Sequence, residues 1–410
     1  MDPTESVAGR RAPRLWLFGL AAAPYGSFSG LVAVALPYLL RRHGITVERI
    51  ASISALVQVP TIWYFLWAPI VDVRFRRRTW LMALAVASAA CSALAIGRDA
   101  GAIRSLTVLL VAASVFNQPI SSALGGLVAH VVPNELRGRT AGWSQAGILG
   151  GGVVAGGLVV WSVANAPAAI TALTIGLVVA APAFAVLAID EPSRSKIGLR
   201  PHLSRMLRDV LTMLKRREVW LGLVFFLSPI GAGALMNLFS AVAAEFHASS
   251  NMIILVVAMA GVFMPLGALV GGSLCDRYDR WRVYPITGLV AAACVGAMSL
   301  APLTAATYVS GAAAYAFATG LAYAAFMSLA FEMVGSGSAA SGTRFTVFMA
   351  AVSVPVVYML RLDGFGHRRW GVRGMLAVDA TANAVFGVAF LACVGIVRAR
   401  FARRSAAPRE

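Results

Sequence analysis

The chain is expected to be an all-α integral membrane protein with twelve transmembrane helices in two similar halves of six. Three observations carry that expectation. Hydrophobic residues make up 59% of the 410 and charged residues only 13%, where a soluble domain carries about 25% charged residues; mean hydropathy is +0.78. The apolar residues gather into runs of the ~20 positions a helix needs to cross a bilayer core. And a compact charged turn, Gly271-Gly272-Ser273-Leu274-Cys275-Asp276-Arg277-Tyr278-Asp279-Arg280-Trp281-Arg282, has a weaker copy 204 residues earlier, Ala68-Pro69-Ile70-Val71-Asp72-Val73-Arg74-Phe75-Arg76-Arg77-Arg78. Asp72 aligns with Asp276, Arg76 with Arg280 and Arg78 with Arg282. The spacing is nearly half the chain, as two repeated halves require.

A basic leader, Met1–Arg14, precedes the first run. That run, 15–40, is too long for a signal peptide and ends in Arg41-Arg42 rather than a small-residue cleavage site, so it is expected to stay as the first span. Five more follow in the first half, at 50–71, 79–97, 105–132, 140–163 and 167–189. Six follow in the second, at 219–243, 251–274, 283–303, 306–333, 344–360 and 375–397. The eleventh is the shortest and contains Pro355. The domain division is therefore 1–189, a central loop over 190–218, and 219–410. The loop holds Pro192, Pro201 and eight Lys/Arg, and its 202–217 stretch suits a helix lying on anionic headgroups.

Orientation follows from the basic residues. With the N-terminus inside, the cytoplasmic segments hold 26 Lys/Arg and the opposite side 9. This positive-inside bias puts both termini and both charged turns in the cytoplasm. It also accounts for the net charge of +18 without nucleic acid, since most aromatic residues lie within the apolar runs rather than among the basic ones. The four cysteines and five histidines are scattered, with no C-x-x-C or H-E-x-x-H pattern, so no metal site or cofactor is expected. No phosphate-binding G-x-x-x-x-G-K-[ST] occurs, and no clustered catalytic constellation suggests an enzyme.

Two halves of six spans joined by a basic loop are how the major facilitator superfamily is built. Gly272-x-Leu274-x-Asp276-Arg277-x-x-Arg280-x-Arg282 resembles that superfamily's loop between the second and third spans of a half. The copy at Asp72 keeps the acid and the trailing arginines but lacks the glycine. The resemblance implies an inner gate that holds the halves together and opens during transport, drawn from Asp72, Arg76, Arg78, Asp276, Arg277 and Arg280. Two roles are open to each carboxylate: pairing with Arg76 or Arg280, or facing the positive N-terminal end of a neighbouring helix. The plain alternative is a solvated turn that only sets topology. Pro133-Asn134-Glu135-Leu136-Arg137-Gly138-Arg139 resembles the superfamily's loop between spans four and five, and Glu135 and Arg139 are candidates for the same network.

A polar side chain facing lipid is costly, so buried polar groups mark the candidate cavity. They are Tyr25, Gln58, Asn117, Gln118, Tyr315 and Tyr323 near mid-membrane, with Trp63, Tyr64, Gln145 and Asn237 at other depths. For each, a helix–helix hydrogen bond is the simpler role. The six glycines from Gly147 to Gly157 are expected to pack span five closely against a neighbour. The expected partners are a small-molecule substrate, the bilayer and protons as coupling ion, for a monomeric carrier. Of the 17 acidic residues, Glu332 and Asp379 are the proton-coupling candidates.

The branch is suggested by Phe65-Leu66-Trp67-Ala68-Pro69-Ile70-Val71-Asp72. It resembles the F-L-W-[AS]-P-x-x-D stretch of AmpG-type permeases, which import anhydro-muropeptides across the bacterial inner membrane. Siderophore importers of the RhtX/FptX kind look similar over the same region. Drug or metabolite efflux is the competing direction. Span five lacks the Gly-Pro motif of proton-antiport exporters and span four lacks their arginine, which leans towards import. A membrane sensor that kept the fold without transport is the alternative from another class.

Overall fold

The computed structural model describes residues 14–45, 53–54, 56–72, 75–96, 103–191, 212, 215, 217–334 and 341–406. The leader before Arg14 and almost all of the expected surface helix at 202–217 lie outside the described residues. Among the described residues there is no strand, and nine helical segments are long and apolar enough to cross a membrane.

The single continuous passes are α1 (Trp16–Leu40, π-helical at Leu31–Ala35), α3 (Arg77–Ile96), α4 (Ile103–Val131), α5 (Arg137–Asn165), α6 (Ala168–Ala188, with 3-10 turns over Ala181–Ala188), α8 (Ser250–Arg277), α9 (Arg280–Leu300) and α10 (Ala305–Val334). The ninth segment, Arg344–Gly395, is 52 residues long and holds two passes. It belongs to a helical stretch, Ser341–Ala406, interrupted at Trp370 and Gly371, where Gly371 takes φ 67°. The chain folds back there, so that Gly366 meets Gly374 and Val378. We call the two arms α11 (341–369) and α12 (372–406). The eleventh span is thus nine residues longer than its expected end at 360, and Pro355 lies inside it. A Pro is tolerated in such a helix because neighbours take up the freed backbone groups.

The remaining two expected spans are broken rather than regular. We label the first α2; it runs as Pro60–Trp63, then 3-10 turns Tyr64–Leu66 and Ala68–Asp72. The second, α7, consists of Arg217–Phe226, a non-helical stretch, and short turns Ala234–Asn237, Phe239–Val242 and Ala243–Phe246. Gly231 and Gly233 sit at φ 74° and 63° in that stretch, a conformation that glycine adopts without steric cost. Carbonyls released by the break find new donors. The Tyr284 hydroxyl donates to the carbonyls of Ile230 (2.9 Å) and Phe225 (3.3 Å), and the Tyr358 hydroxyl to that of Leu227 (2.8 Å). Without such partners each buried carbonyl would cost about 1–3 kcal/mol.

Packing differs between the two ends of the bundle. At the end that carries Asp72 and Asp276, residues from both halves share one apolar core, including Phe18 and Leu124 of α1 and α4 with Phe226, Phe331 and Phe345 of α7, α10 and α11. Towards the far end the core divides. One part holds Leu31, Leu110 and Ile175 of the first half; the other holds Phe239, Tyr308 and Leu376 of the second. The halves are joined at the turn end and part towards the far end. Along α5 and α8 contact persists to about mid-length, where Val153 covers Gly261.

Candidate functional site

Three polar groupings stand out, one at the turn end and one within each half. At the turn end Asp276 closes α8 and lies against the start of α5. Its Oδ1 accepts from Gly138 N (2.6 Å) and its Oδ2 from Arg139 N (2.9 Å). A carboxylate therefore sits on the positive N-terminus of a helix from the other half. Arg139 Nε (3.5 Å) and the buried Arg280 (3.8 Å) flank it. Arg280 also donates to Asn134 Oδ1 (2.9 Å), to the Asn134 carbonyl and to Glu332 (3.0 Å). Trp281 Nε1 gives a second bond to Glu332 (3.1 Å). The approach is as close as glycine permits: a Cβ on Gly272 would lie 2.5 Å from the Gly138 carbonyl oxygen.

The earlier turn is built differently. Asp72 is buried and receives Arg77, through Nη2 at 2.6 Å and Nε at 3.1 Å. The expected partner was Arg76; the first-half turn has one more residue between acid and buried arginine, so the guanidinium that points inward is the next one along. Arg76 instead lends its carbonyl to the start of α3, accepting from Thr79 N and Trp80 N. Arg78 gives its backbone N–H to Glu191 (3.1 Å), as Arg77 does (3.0 Å). Arg77 Nη1 also meets His130 Nδ1 at 3.0 Å.

Of the other expected gate residues, Arg139 reaches Asp276, while Glu135 and Arg277 are exposed. Glu332, expected as a coupling candidate, belongs spatially to the charge cluster at Arg280. Arg137 escaped attention in the sequence. It is buried, with Nη1 donating to the Phe331 carbonyl of the other half (2.9 Å) and Nη2 to that of Ala129 (3.2 Å). Glu191 escaped for a plainer reason: one acid at the head of a basic loop has no sequence pattern to mark it.

In the first half four polar side chains form a chain of hydrogen bonds across α1, α4 and α2. Tyr25 OH donates to Gln118 Oε1 (3.4 Å), Gln118 Nε2 to Thr61 (3.2 Å), and Thr61 to Gln58 Oε1 (3.4 Å). Asn117 Nδ2 donates to the Tyr25 carbonyl (3.4 Å), and Trp67 Nε1 to that of Val115 (3.1 Å). Trp63 stands on the exposed side of α2, and Gln145 is buried in α5. Of the six expected packing glycines of α5, Gly147, Gly151, Gly152 and Gly156 pack on α1, where Cβ atoms on Gly26 and Gly147 would each fall within 2 Å of a facing carbonyl oxygen, while Gly150 and Gly157 meet nothing within 4 Å.

In the second half Asp379 of α12 is buried, with Tyr315 OH 3.5 Å from Oδ2 and Asn383 Nδ2 3.1 Å from Oδ1. The long α11 and the hairpin at Gly371 turn this face of α12 inward. Tyr323 packs its hydroxyl against Gly233 of the broken α7. Asn237 donates within its own turn, to the Ala234 carbonyl. A further acid, Asp363 on α11, is fully buried beside this group. In the sequence it lies among Arg361, Arg368 and Arg369 and reads as part of an outer loop; only its spacing from Met359 and Gly366 places it on a buried helix face.

The sequence profile of the Major Facilitator Superfamily matches residues 18–358. The chain belongs to the major facilitator superfamily. No curated protein matches it in sequence. Solved superfamily structures share its fold at low identity. The human organic anion transporter MFSD10 superposes with TM-score 0.70 at 15% identity, covering 92% of this chain and 98% of its own. The transporter FucP in the outward conformation gives 0.67 at 14%, covering 91% and 97%. The proton:xylose symporter XylE gives 0.64 at 15%, covering 91% and 93%.

This superfamily member is a multi-pass membrane transporter of small solutes and not an enzyme. Its geometry suits that work. Charge-assisted bonds at Asp276 hold the two halves at one end, and polar side chains lie inside each half, where desolvated groups contribute most to selectivity.

Proposed function

We propose that this carrier imports a cell-wall muropeptide across a bacterial cytoplasmic membrane by alternating access, as a monomer with both termini inside. Its halves are 1–189 and 219–410, joined by the loop over 190–218. The choice of cargo rests on one observation, the Phe65–Asp72 segment and its likeness to AmpG-type permeases. That segment forms the broken α2, whose Trp67 is bonded to α4 three residues before Gln118. Polar solutes and an interrupted helix beside hydrogen-bonding side chains go together in transporters.

The inner gate in this reading is Asp276 on the N-terminus of α5, with Arg139 and Arg280 around it. Asp72 with Arg77 steadies the turn of the first half. Opening inward requires the Asp276 bonds to break. The cavity residues in this reading are Tyr25, Gln58, Asn117 and Gln118 of the first half with Tyr315, Tyr323 and Asn237 of the second.

Uptake by proteoliposomes holding the purified protein tests the reading. Labelled anhydro-muropeptide is expected to enter, and Gln118→Ala to lower its apparent affinity about fivefold, the worth of about one hydrogen bond. A ferric siderophore entering instead moves the cargo to the neighbouring branch. Binding without flux for both would make the protein a sensor.

A further inference from the structure

We propose that Asp363 of α11 and Asp379 of α12 form one proton-binding site, holding a single shared proton that the carrier exchanges with the two sides of the membrane. The inference rests on the transporter reading but not on the identity of the cargo.

The two acids are neighbours by the packing of their helices. Met359 shares a small core with Ala382, and Gly366 touches Val378 and Gly374. Asp363 lies on the same face of α11, one turn beyond Met359 and one before Gly366. Asp379 lies on α12 between the residues those two contact. Each carboxylate is within electrostatic reach of the other, and Tyr315 is within reach of both. Asp363 is 0% exposed and Asp379 1%.

What points to a ligand is the set of unmet acceptors. Both oxygens of Asp363 and the side-chain oxygen of Asn383 are buried without a hydrogen-bond partner. Asn383 is 3% exposed and aimed into the site, since its Nδ2 is bonded to Asp379. Three buried acceptors without a donor, around two buried carboxylates, call for a bound positive charge or a proton. Two close carboxylates cannot both stay ionised in such a place; sharing one proton is the usual solution.

Among the described residues no arginine, lysine or histidine is paired with either acid. From α10 the ionisable groups facing the pair are Tyr315 and Tyr323, both phenols. The broken α7 presents backbone around Gly231–Leu235, and its Glu245 is taken up by His367 of α11 nearer the far end. α9 brings Cys294 to the same outer core. Arg361 and Arg373 belong to α11 and α12 but are exposed. α4 meets α11 closer to the turn end, through Ser122 and Thr346. The step is simple in its balance. One proton from the medium forms an O–H bond on one carboxyl, donates to the other carboxylate, and leaves to the opposite side when the halves rearrange.

Infrared difference spectroscopy of the purified protein, titrated through neutral pH without any solute, tests this directly. One protonated carboxyl per molecule is expected in the wild type. Its carbonyl band should vanish on raising the pH, and should be lost in Asp363→Asn and in Asp379→Asn but kept in Glu332→Gln. If Asp379→Asn does not fold, Asp363→Asn decides alone, because its side chain has no bond to lose. A band that survives in the Asn variants overturns the proposal, as does a wild type with no protonated carboxyl or a band displaced by sodium at constant ionic strength. With labelled anhydro-muropeptide, the same variants should keep exchange but lose accumulation against a gradient. Failure of the muropeptide to enter would strike the cargo assignment and leave the infrared result standing.

Discussion

Asp72 and Asp276 end equivalent helices in the two halves, yet they hold different things. Asp72 is closed around the buried guanidinium of Arg77, five residues on in its own half. Asp276 reaches across to the backbone of Gly138 and Arg139 and fixes the other half. The same motif therefore serves as an internal brace in one copy and as a latch in the other. An internal brace acts on folding. A latch acts on the balance between conformations, because its bonds exist in only one of them.

Four substitutions sharpen or break that contrast. The largest effect is expected from Arg77→Gln, which takes the paired guanidinium away from the buried Asp72. Loss of one member of such a pair costs about 3–5 kcal/mol, to be read as a lowered thermal unfolding temperature in detergent. Asp276→Asn should unfold at nearly the wild-type temperature but release the latch. Weakening two charge-assisted bonds is worth about 2–3 kcal/mol, enough to change the dominant conformation, and distances between spin labels at the far ends of α1 and α10 would report it. If the two variants behave alike, the division into brace and latch fails.

Gly272→Ala tests the close approach at the latch. The added methyl meets the backbone of Gly138 and Gly142, which cannot rotate away, and overpacking of this sort costs about 1–3 kcal/mol. The same spin-label distances should shift in the direction that Asp276→Asn shifts them. The smallest effect belongs to Arg76→Ala. Its carbonyl, not its guanidinium, bonds to α3, so stability should change by no more than about 0.5 kcal/mol. A loss near that of Arg77→Gln would return the brace to the residue that alignment of the two turns suggests.

The polar groupings show how far sequence carries. Tyr25, Gln58, Asn117 and Gln118 were legible as polar residues inside apolar runs; the structure links Tyr25, Gln118 and Gln58 in one chain of bonds through Thr61, and Asn117 bonds to the Tyr25 carbonyl. Asp363 was not legible, because three arginines within six residues of it mimic a loop. Their charged ends lie on the exposed face of α11 while Asp363 lies on the other, a distinction that depends on where the helix ends. Arg77 was hidden among three consecutive arginines, and local register alone decided which one turned inward.

The sequence by itself determined the class of this protein: a membrane-spanning helical bundle, duplicated, with a charged turn in each half. Hydropathy over ~20 residues and a repeated motif are local properties, and the bilayer leaves a chain of that pattern few other structures. Tertiary structure decided the rest. It broke α2 and α7, extended α11, sent one turn's acid across the interface and kept the other's at home, and brought Asp363 to Asp379. Each of these depends on which side chains meet across helices far apart in the chain, where desolvation makes a single pairing worth several kcal/mol and no local pattern records the partner.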